Sequence, residues 1–352
     1  MFPRNCWYIA AWAHEIERRP LGRILLNEPV VFFRKIDGAI VALEDRCAHR
    51  GYPLHKGRLI EDTLECGYHG MTFDCSGHCI KVPGQSQIPS GAGIHVYPIV
   101  EQWGFVWIWM GDTSLANPAS IADWRVLDDS QWEVRGERLY VNCDYKLIID
   151  NLLDLSHLAF VHPRTLGSSA KLDEVQIKNE VAEASVTISR WLLDIEPPPT
   201  YARGAFKGNV DRWQITTFQP PAFVSLFAGA ADTATGAPEG NLDGAIGLHT
   251  FNAMTPETDR TTHYFWAIAQ RESAKVRNLP ESIFHDIQKT VQEDLAVFEA
   301  QQRSLELKPD APMVTIKSDV GPIAARRIID RLLQTEANSL RAQQSITKVA
   351  SS

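Results

Sequence analysis

Two short stretches decide how this chain is read: Cys47-Ala48-His49-Arg50-Gly51 and Cys66-Gly67-Tyr68-His69-Gly70. They spell C-x-H and C-x-x-H with sixteen residues between them. Two thiolates and two neutral imidazoles can hold one structural zinc. They can equally ligate a [2Fe–2S] cluster, with both Cys on one iron and both His on the other. Zinc sites of this composition group Cys with Cys and His with His, whereas here each loop donates one of each. That is the arrangement needed when each loop must touch both irons, so the cluster is the leading reading and zinc the alternative. Gly51 and Gly70 permit the close backbone approach and amide donors that cluster sulfurs want, and Pro83-Gly84 offers a third covering loop. Cys6, Cys75, Cys79 and Cys143 have no paired histidine and read as packing thiols.

The surroundings of these loops read as β. Val30–Phe33 and Ala39–Leu43 are short β-branched and aromatic runs joined by Asp37-Gly38, a hairpin signal. Trp103 to Trp109 reads as a buried strand stopped by Met110-Gly111-Asp112, and Thr113 to Ser120 as a boundary. The expected division is 1–115 and 116–352. The whole chain has 352 residues, 43 acidic and 35 basic side chains and a net charge of -8. With no Lys/Arg-rich run, that balance argues against a nucleic-acid partner. The apolar runs are strand-length, too short for a membrane span, and the N-terminus has no secretory pattern, so a cytoplasmic protein is expected.

The second part carries its own constellation. Tyr145 to about Phe160 reads as a helix ending before Pro163, with Asp150, Asp154 and His157 at i, i+4 and i+7 on one face. His162 lies about 140° off that face and reaches His157's metal only where the helix bulges or ends. Leu152, Leu153, Leu155, Leu158 and Phe160 make the segment apolar nearly all round, so its polar groups are buried and need partners. Two imidazoles and a carboxylate with open positions form the facial triad of non-haem Fe(II) oxygenases.

The third ligand can be sought on a helix expected over Glu281–Gln302. Its apolar stripe is Phe284, Ile287, Val291, Leu295 and Phe298. Glu281, Asp286, Glu293 and Glu299 fall off that stripe and Asp294 falls within it. A buried Asp needs a partner, so Asp294 is the expected ligand. Further strands are expected at Ala184–Arg190, Arg212–Phe218 and His263–Ile268, a helix over Ile323–Ala342, and an exposed mobile loop from Ala230 to Gly244. Asn252, His285 and Trp266 are candidate substrate-pocket residues, and Tyr201 to Arg212 a covering loop.

Together, the Cys/His loops and Asp150-x3-Asp154-x2-His157-x4-His162 resemble the oxygenase component of Rieske non-haem iron oxygenases. The opening Met1-Phe2-Pro3-Arg4-Asn5-Cys6-Trp7-Tyr8, together with Asn151-Leu152-Leu153-Asp154 and Met254-Thr255-Pro256-Glu257-Thr258, looks like the vanillate O-demethylase, toluenesulfonate methyl-monooxygenase and dicamba monooxygenase group. Tyr52 and Tyr68 occupy the positions where respiratory relatives carry extra Cys.

The resemblance implies an α+β protein, with an all-β Rieske domain and a helix-grip-like catalytic domain built on an antiparallel sheet. It implies a [2Fe–2S] cluster on Cys47, His49, Cys66 and His69, and mononuclear Fe(II) on His157, His162 and Asp294. It also implies a homotrimer, with Asp154 linking a cluster histidine (His69) to an iron histidine (His157) and gating O₂ activation.

Electrons would come from NAD(P)H through a separate flavin/[2Fe–2S] reductase, since no G-x-G-x-x-G follows a strand here. The expected reaction is hydroxylation of a methyl carbon of a small aromatic acid. O-demethylation of a vanillate-type methoxybenzoate leads, and methyl hydroxylation of an aryl sulfonate or carboxylate is the alternative. Readings from other classes are an electron-transfer protein alone and a zinc-stabilised binding protein.

Overall fold

The computed structural model describes residues 1–166, 175–198, 201, 206–271 and 279–350. It divides into two units, Met1–Ile121 with Thr255–Asp259, and Ala122–Met254 with Arg260–Ser352. None of the helices described is long and apolar enough to cross a membrane.

The first unit is built of small antiparallel sheets. Strands β1 (Trp7–Trp12), β2 (Leu21–Leu25), β3 (Glu28–Arg34), β4 (Ile40–Glu44) and β5 (Arg58–Ile60) are followed by β6 (Thr63–Glu65), β7 (Thr72–Phe73), β8 (Cys79–Lys81), β9 (Ile99–Gln102) and β10 (Phe105–Trp109). They pair as β1-β10-β9, β2-β3-β4 and β5-β6-β7-β8. The Asp37-Gly38 signal does turn the chain between β3 and β4, with Gly38 at φ 89°.

The strand expected from Trp103 begins instead at Phe105. Trp103 and Gly104 have φ of 55° and 75° and form the two-residue connection from β9, a primed turn that needs positive φ at both positions. Val31, Phe33, Leu43, Leu54, Leu64 and Phe73 are fully buried in one cluster, and Cys47 and Cys66 belong to it.

The second unit is one seven-stranded sheet with helices. Its elements are β11 (Trp132–Val141), α1 (Tyr145–Leu153), α2 (Leu158–Val161), β12 (Gln176–Val181), β13 (Val186–Ile195) and β14 (Val210–Gln219). Next come β15 (Phe223–Asp232), β16 (Ile246–Thr258), β17 (Thr261–Arg271), α3 (Leu279–Leu307) and α4 (Val320–Ala350). The sheet order is β11-β17-β16-β15-β14-β13-β12, a meander with β11 added beside β17. Helix α1 packs on β14 and β15 and against α4. The chain is therefore an all-β unit followed by an α+β unit on a large antiparallel sheet, as its motifs implied.

Two expectations need correction. The helix expected over Tyr145–Phe160 is broken: α1 stops at Leu153, Asp154 leaves the helical region at φ -118° and ψ 88°, and Leu155–His157 is a 3₁₀ turn before α2. The Asp154 carboxylate accepts the Ser156 N–H at 3.0 Å and so starts a new helical turn. Asp150, Asp154 and His157 thus do not share one helical face. Asp150 instead pairs with Arg326 of α4, whose Nε donates to both its oxygens at 3.0 Å.

The Ala230–Gly244 segment is an exposed loop only in its second part, residues 238–244. Residues 230–232 end β15, and Ala231 and Ala237 are buried with Trp213. Of the Tyr201–Arg212 segment, residues 202–205 lie outside the described residues. Tyr201 is buried and Arg212 sits on β14.

Candidate metal centres

The two Cys/His loops have the same backbone. In each, the glycine four residues after the cysteine returns its N–H to the cysteine carbonyl, Gly51 to Cys47 at 2.9 Å and Gly70 to Cys66 at 3.0 Å. Each cysteine N–H then donates to the residue five further on, Cys47 to Tyr52 and Cys66 to Met71. Gly51 and Gly70 stand at φ of 66° and 74°, where a side chain is strained. A Cβ on Gly70 would also come within 3.0 Å of the Pro83 ring, so the Pro83-Gly84 loop does close over this turn.

The result is a matched pair of turns, each placing one sulfur inward and one imidazole outward. Cys47 and Cys66 are 2% exposed and unbridged, whereas His49 and His69 are exposed with ring centroids 4.7 Å apart. Burial, with the neighbouring Cys66 thiol, pushes the Cys47 thiol up from its usual range. The buried Cys47 thiol resists ionising unless a cation holds it, and the buried Cys66 sulfur and two accessible imidazoles stand beside it. These residues fit a [2Fe–2S] cluster.

The second centre forms where α2 ends and α3 passes. One ligand atom from each of His157, His162 and Asp294 lies within 4.8 Å of the others. His162 Nε2 is 3.0 Å and His157 Nε2 3.7 Å from Asp294 Oδ1. Sequence spacing put His157 and His162 far apart around a helix. The end of α2 at Val161 removes that obstacle, because His162 itself is non-helical at φ -119° and ψ 43°. Asp294 is 8% exposed on the buried stripe of α3, beside Ile287, Val291 and Phe298.

The partners of these groups settle their tautomers. His157 Nδ1 lies 2.6 Å from the Asp154 carbonyl oxygen, which accepts only from an N–H, so Nε2 is the free electron pair. His162 Nδ1 is 2.7 Å from Glu293 Oε2, which leaves its Nε2 toward Asp294 in the same way. Asn151 Nδ2 donates to Asp294 Oδ1 at 3.2 Å, while its own Oδ1 is buried without a partner. Two imidazole nitrogens and a carboxylate converging with like lone pairs fit a divalent iron.

Glu293 and Asn151 were missed from sequence. Glu293 falls off the apolar stripe of α3, which is true of its burial and irrelevant to its partner. The only sequence signal was adjacency, Glu293 to Asp294 and Asn151 to the Asp154 segment.

Burial lowers the His157 pKa, so this ring is neutral and able to ligate at pH 7. For His162 burial acts in the same direction, but the hydrogen bond and charge of Asp294, joined by Glu293, outweigh it and raise the pKa above the usual 6.5. Iron must displace that proton. Iron affinity should therefore hold at high pH and fall as pH drops through a His162 pKa above the ordinary histidine range. Glu293→Gln removes one support of the proton and the charge that orients the ring. It should shift this fall to lower pH and cut iron affinity at pH 8 by roughly 10–100-fold. Iron titrations of the metal-depleted protein across pH check both, and an unchanged affinity would remove Glu293 from the centre.

The other candidates are placed differently. Asn252 is buried, with Nδ2 donating to the Val224 carbonyl at 3.0 Å and Oδ1 accepting from Tyr264 Oη at 2.7 Å, so both ends of its amide are engaged within the sheet. Trp266 is buried, stacks on Phe284 of α3 at 5.3 Å and leaves Nε1 without a partner. His285 is exposed on α3, one residue beyond Phe284 of the stripe.

Two family models match the chain, the Rieske [2Fe–2S] domain over residues 6–98 and the vanillate O-demethylase oxygenase C-terminal domain over residues 141–335. The chain belongs to the Rieske oxygenase family. Among curated relatives, this Rieske oxygenase is 43% identical over 341 residues to the iron–sulfur subunit of a toluene-4-sulfonate monooxygenase system of Comamonas testosteroni, covering 96% of this chain and 98% of that one. It is 37% identical over 349 residues to a vanillate O-demethylase oxygenase subunit of a Pseudomonas strain, covering 97% and 98%. The crystal structure of dicamba monooxygenase bound to dicamba superposes with a TM-score of 0.86 at 30% identity, covering 96% of this chain and 99% of that one. The Rieske oxygenase described here is thus the terminal oxygenase of a monooxygenase system, an oxidoreductase with a [2Fe–2S] cluster and a non-haem iron.

Proposed function

We propose that this oxygenase hydroxylates the methyl carbon of a small aromatic acid, using O₂ and electrons that a separate flavin/[2Fe–2S] reductase draws from NAD(P)H. The observation that carries this reading is the convergence of His157, His162 and Asp294 within 4.8 Å in a chain whose C-terminal part matches the vanillate O-demethylase oxygenase domain. When bound, the cluster and the iron supply single electrons and O₂ reduction, so that one oxygen atom enters a C–H bond and the other leaves as water.

The chain's own residues do the rest. The Asp154 carbonyl and Glu293 hold the Nδ1 protons of His157 and His162, and the Asn151 amide holds Asp294, so that three donors face one point. Buried Leu153, Leu155 and Leu158 keep water from the same segment. The Asp154 side chain is left to a second task. In the homotrimer that the family resemblance implies, it would link His69 of the partner subunit to His157 and so couple the two centres.

The substrate's methyl group decides the product. Hydroxylation of an aryl methyl ether yields a hemiacetal that collapses to a phenol and formaldehyde, the vanillate-type outcome. Hydroxylation of an aryl methyl group yields a benzylic alcohol, and the higher identity to the toluene-4-sulfonate relative, 43 against 37%, favours this second outcome.

The test supplies purified oxygenase with NADH, O₂ and a surrogate reductase, and offers vanillate and toluene-4-sulfonate in parallel. Formaldehyde or the hydroxymethyl sulfonate is expected in step with NADH consumed. A protein that takes electrons, contains no second iron and converts neither these nor other methylated aromatic acids is an electron carrier, and the proposal falls.

A further inference from the structure

Two arginines lie deep in the second unit without forming an ion pair among the described residues; the charge of Asp154 acts on Arg190 alone. Arg190 on β13 and Arg212 on β14 are 5% and 2% exposed. In the antiparallel register Arg190 stands opposite Gln214 and Leu192 opposite Arg212, so these four side chains share one face of the sheet. Arg190 donates to the Leu155 carbonyl at 2.7 Å and to Gln214 Oε1 at 3.1 Å. Arg212 donates to the Leu166 carbonyl at 3.1 Å and lies over the Tyr201 ring, 5.6 Å from its centroid. All of these partners are neutral. Among the described residues no carboxylate forms an ion pair with either guanidinium, and the Arg212 Nε is buried without an acceptor.

Such a pair is costly as it stands. Burial, and then the charge of Arg212, lowers the Arg190 pKa to about 10 against the opposing charge of Asp154, which still leaves it charged at neutral pH. Two buried like charges with one nearby carboxylate between them are under-compensated, and Arg212 has no acid acting on it. A purely structural arginine in a core is normally matched by an acid or has its donors filled; here an inward donor is left over.

The arginines also line a cleft that is partly open to solvent. Its other walls include Gln214, Leu192, Leu155 and Leu158, and the last two flank His157 in the chain. One side is thus cationic and rich in donors, the other aliphatic and next to the iron-ligand segment. That polarity matches an amphiphilic anion: a charged head with a flat apolar body.

We propose that Arg190 and Arg212, with Gln214, are the receptor for the anionic head group of the substrate, a sulfonate or carboxylate carried on an aromatic ring that lies against Leu155 and Leu158. The inference rests on the aromatic-acid reading above and deepens it, because it assigns the selectivity for an acid to named side chains. Planar guanidiniums present paired donors to such oxygens, which an ammonium cannot.

The test measures binding to the holoenzyme without turnover, so that it stands apart from the hydroxylation assay. Benzenesulfonate and benzoate are titrated against benzenesulfonamide and benzamide, neutral near-isosteres, by calorimetry. Wild type is expected to prefer the anions by roughly 10- to 150-fold, the worth of a hydrogen bond to a charged group. The larger preference, for sulfonate or for carboxylate, names the head group. Arg212→Gln and Arg190→Gln should each bring the preference to within a few-fold while amide binding stays unchanged. Should a Gln variant not fold, Arg212→Lys and Arg190→Lys take its place and should lower the preference at least about 5-fold, because the fork is lost.

Equal wild-type affinity for acid and amide overturns the receptor, as does a preference that survives in folded variants at both positions. Anion binding without hydroxylation of any methylated aromatic acid would sink the functional reading and leave the receptor standing. Turnover of such acids by an enzyme that does not discriminate charge would do the reverse.

Discussion

Asp294→Ala will empty the mononuclear iron centre while the visible spectrum of the [2Fe–2S] cluster stays at wild-type intensity. Among the described residues, Asp294 is the one carboxylate whose oxygen lies near both imidazole nitrogens, 3.0 Å from His162 and 3.7 Å from His157. Its removal leaves two neutral donors, a set that holds Fe(II) weakly. Outer partners of metal ligands are worth 10–100-fold in affinity, so loss of a direct ligand should exceed about 100-fold and abolish turnover. The truncation costs little packing, because the carboxylate's neighbours are polar: Asn151 at 3.2 Å and His162. Iron analysis beside the cluster absorbance decides it. Stoichiometric second-site iron in the Ala variant would move the ligand elsewhere, with Glu293 the next carboxylate to examine, since it already contacts His162.

Asp154→Asn should give the opposite phenotype, a protein with both metal centres filled and little activity. Its local roles survive the change. The His157 contact uses the main-chain carbonyl, and the Ser156 N–H can be accepted by an amide oxygen as well as by a carboxylate. What Asn cannot supply is the negative charge and the proton-accepting oxygen. If the carboxylate couples the two centres across subunits, product formation should fall on the order of 100-fold or more, the scale of a positioned proton-holding group. Single-turnover reduction of the cluster by the reductase should be unaffected. The informative readout is re-oxidation of the reduced cluster with substrate and O₂ present, which should slow by the same factor. Unchanged re-oxidation would confine Asp154 to capping the 3₁₀ turn.

The legible parts of this molecule were those whose geometry is local. A C-x-H-x-G or C-x-x-H-G loop places a sulfur, an imidazole and a closing glycine within five residues, and the backbone bonds from Gly51 to Cys47 and from Gly70 to Cys66 complete it without help from elsewhere. Asp294 was legible for a related reason: a helix repeats every 3.6 residues, so a carboxylate on the apolar stripe is exposed as an anomaly by counting alone. Spacing failed at Asp150. There the periodicity assumed a continuous helix, and Asp154 interrupts it by capping a new turn with its own side chain. What allows His162 to join His157 is the end of α2 at Val161, which leaves His162 non-helical, the condition the sequence had set for that union.

By itself the sequence determined the inventory and chemistry of the donors: two thiolates and two imidazoles in paired turns, two further imidazoles, and an acid on a buried face. Only the tertiary structure decided which of the remaining polar groups serve them. Glu293 reaches His162 across 131 positions in the chain, Asn151 reaches Asp294 across 143, and Arg190 meets Gln214 through the register of two strands. Such contacts depend on where a helix breaks, how α3 crosses the segment and which residues stand opposite in a sheet. No local pattern encodes them, because each partner's own surroundings are ordinary until the fold brings the other near.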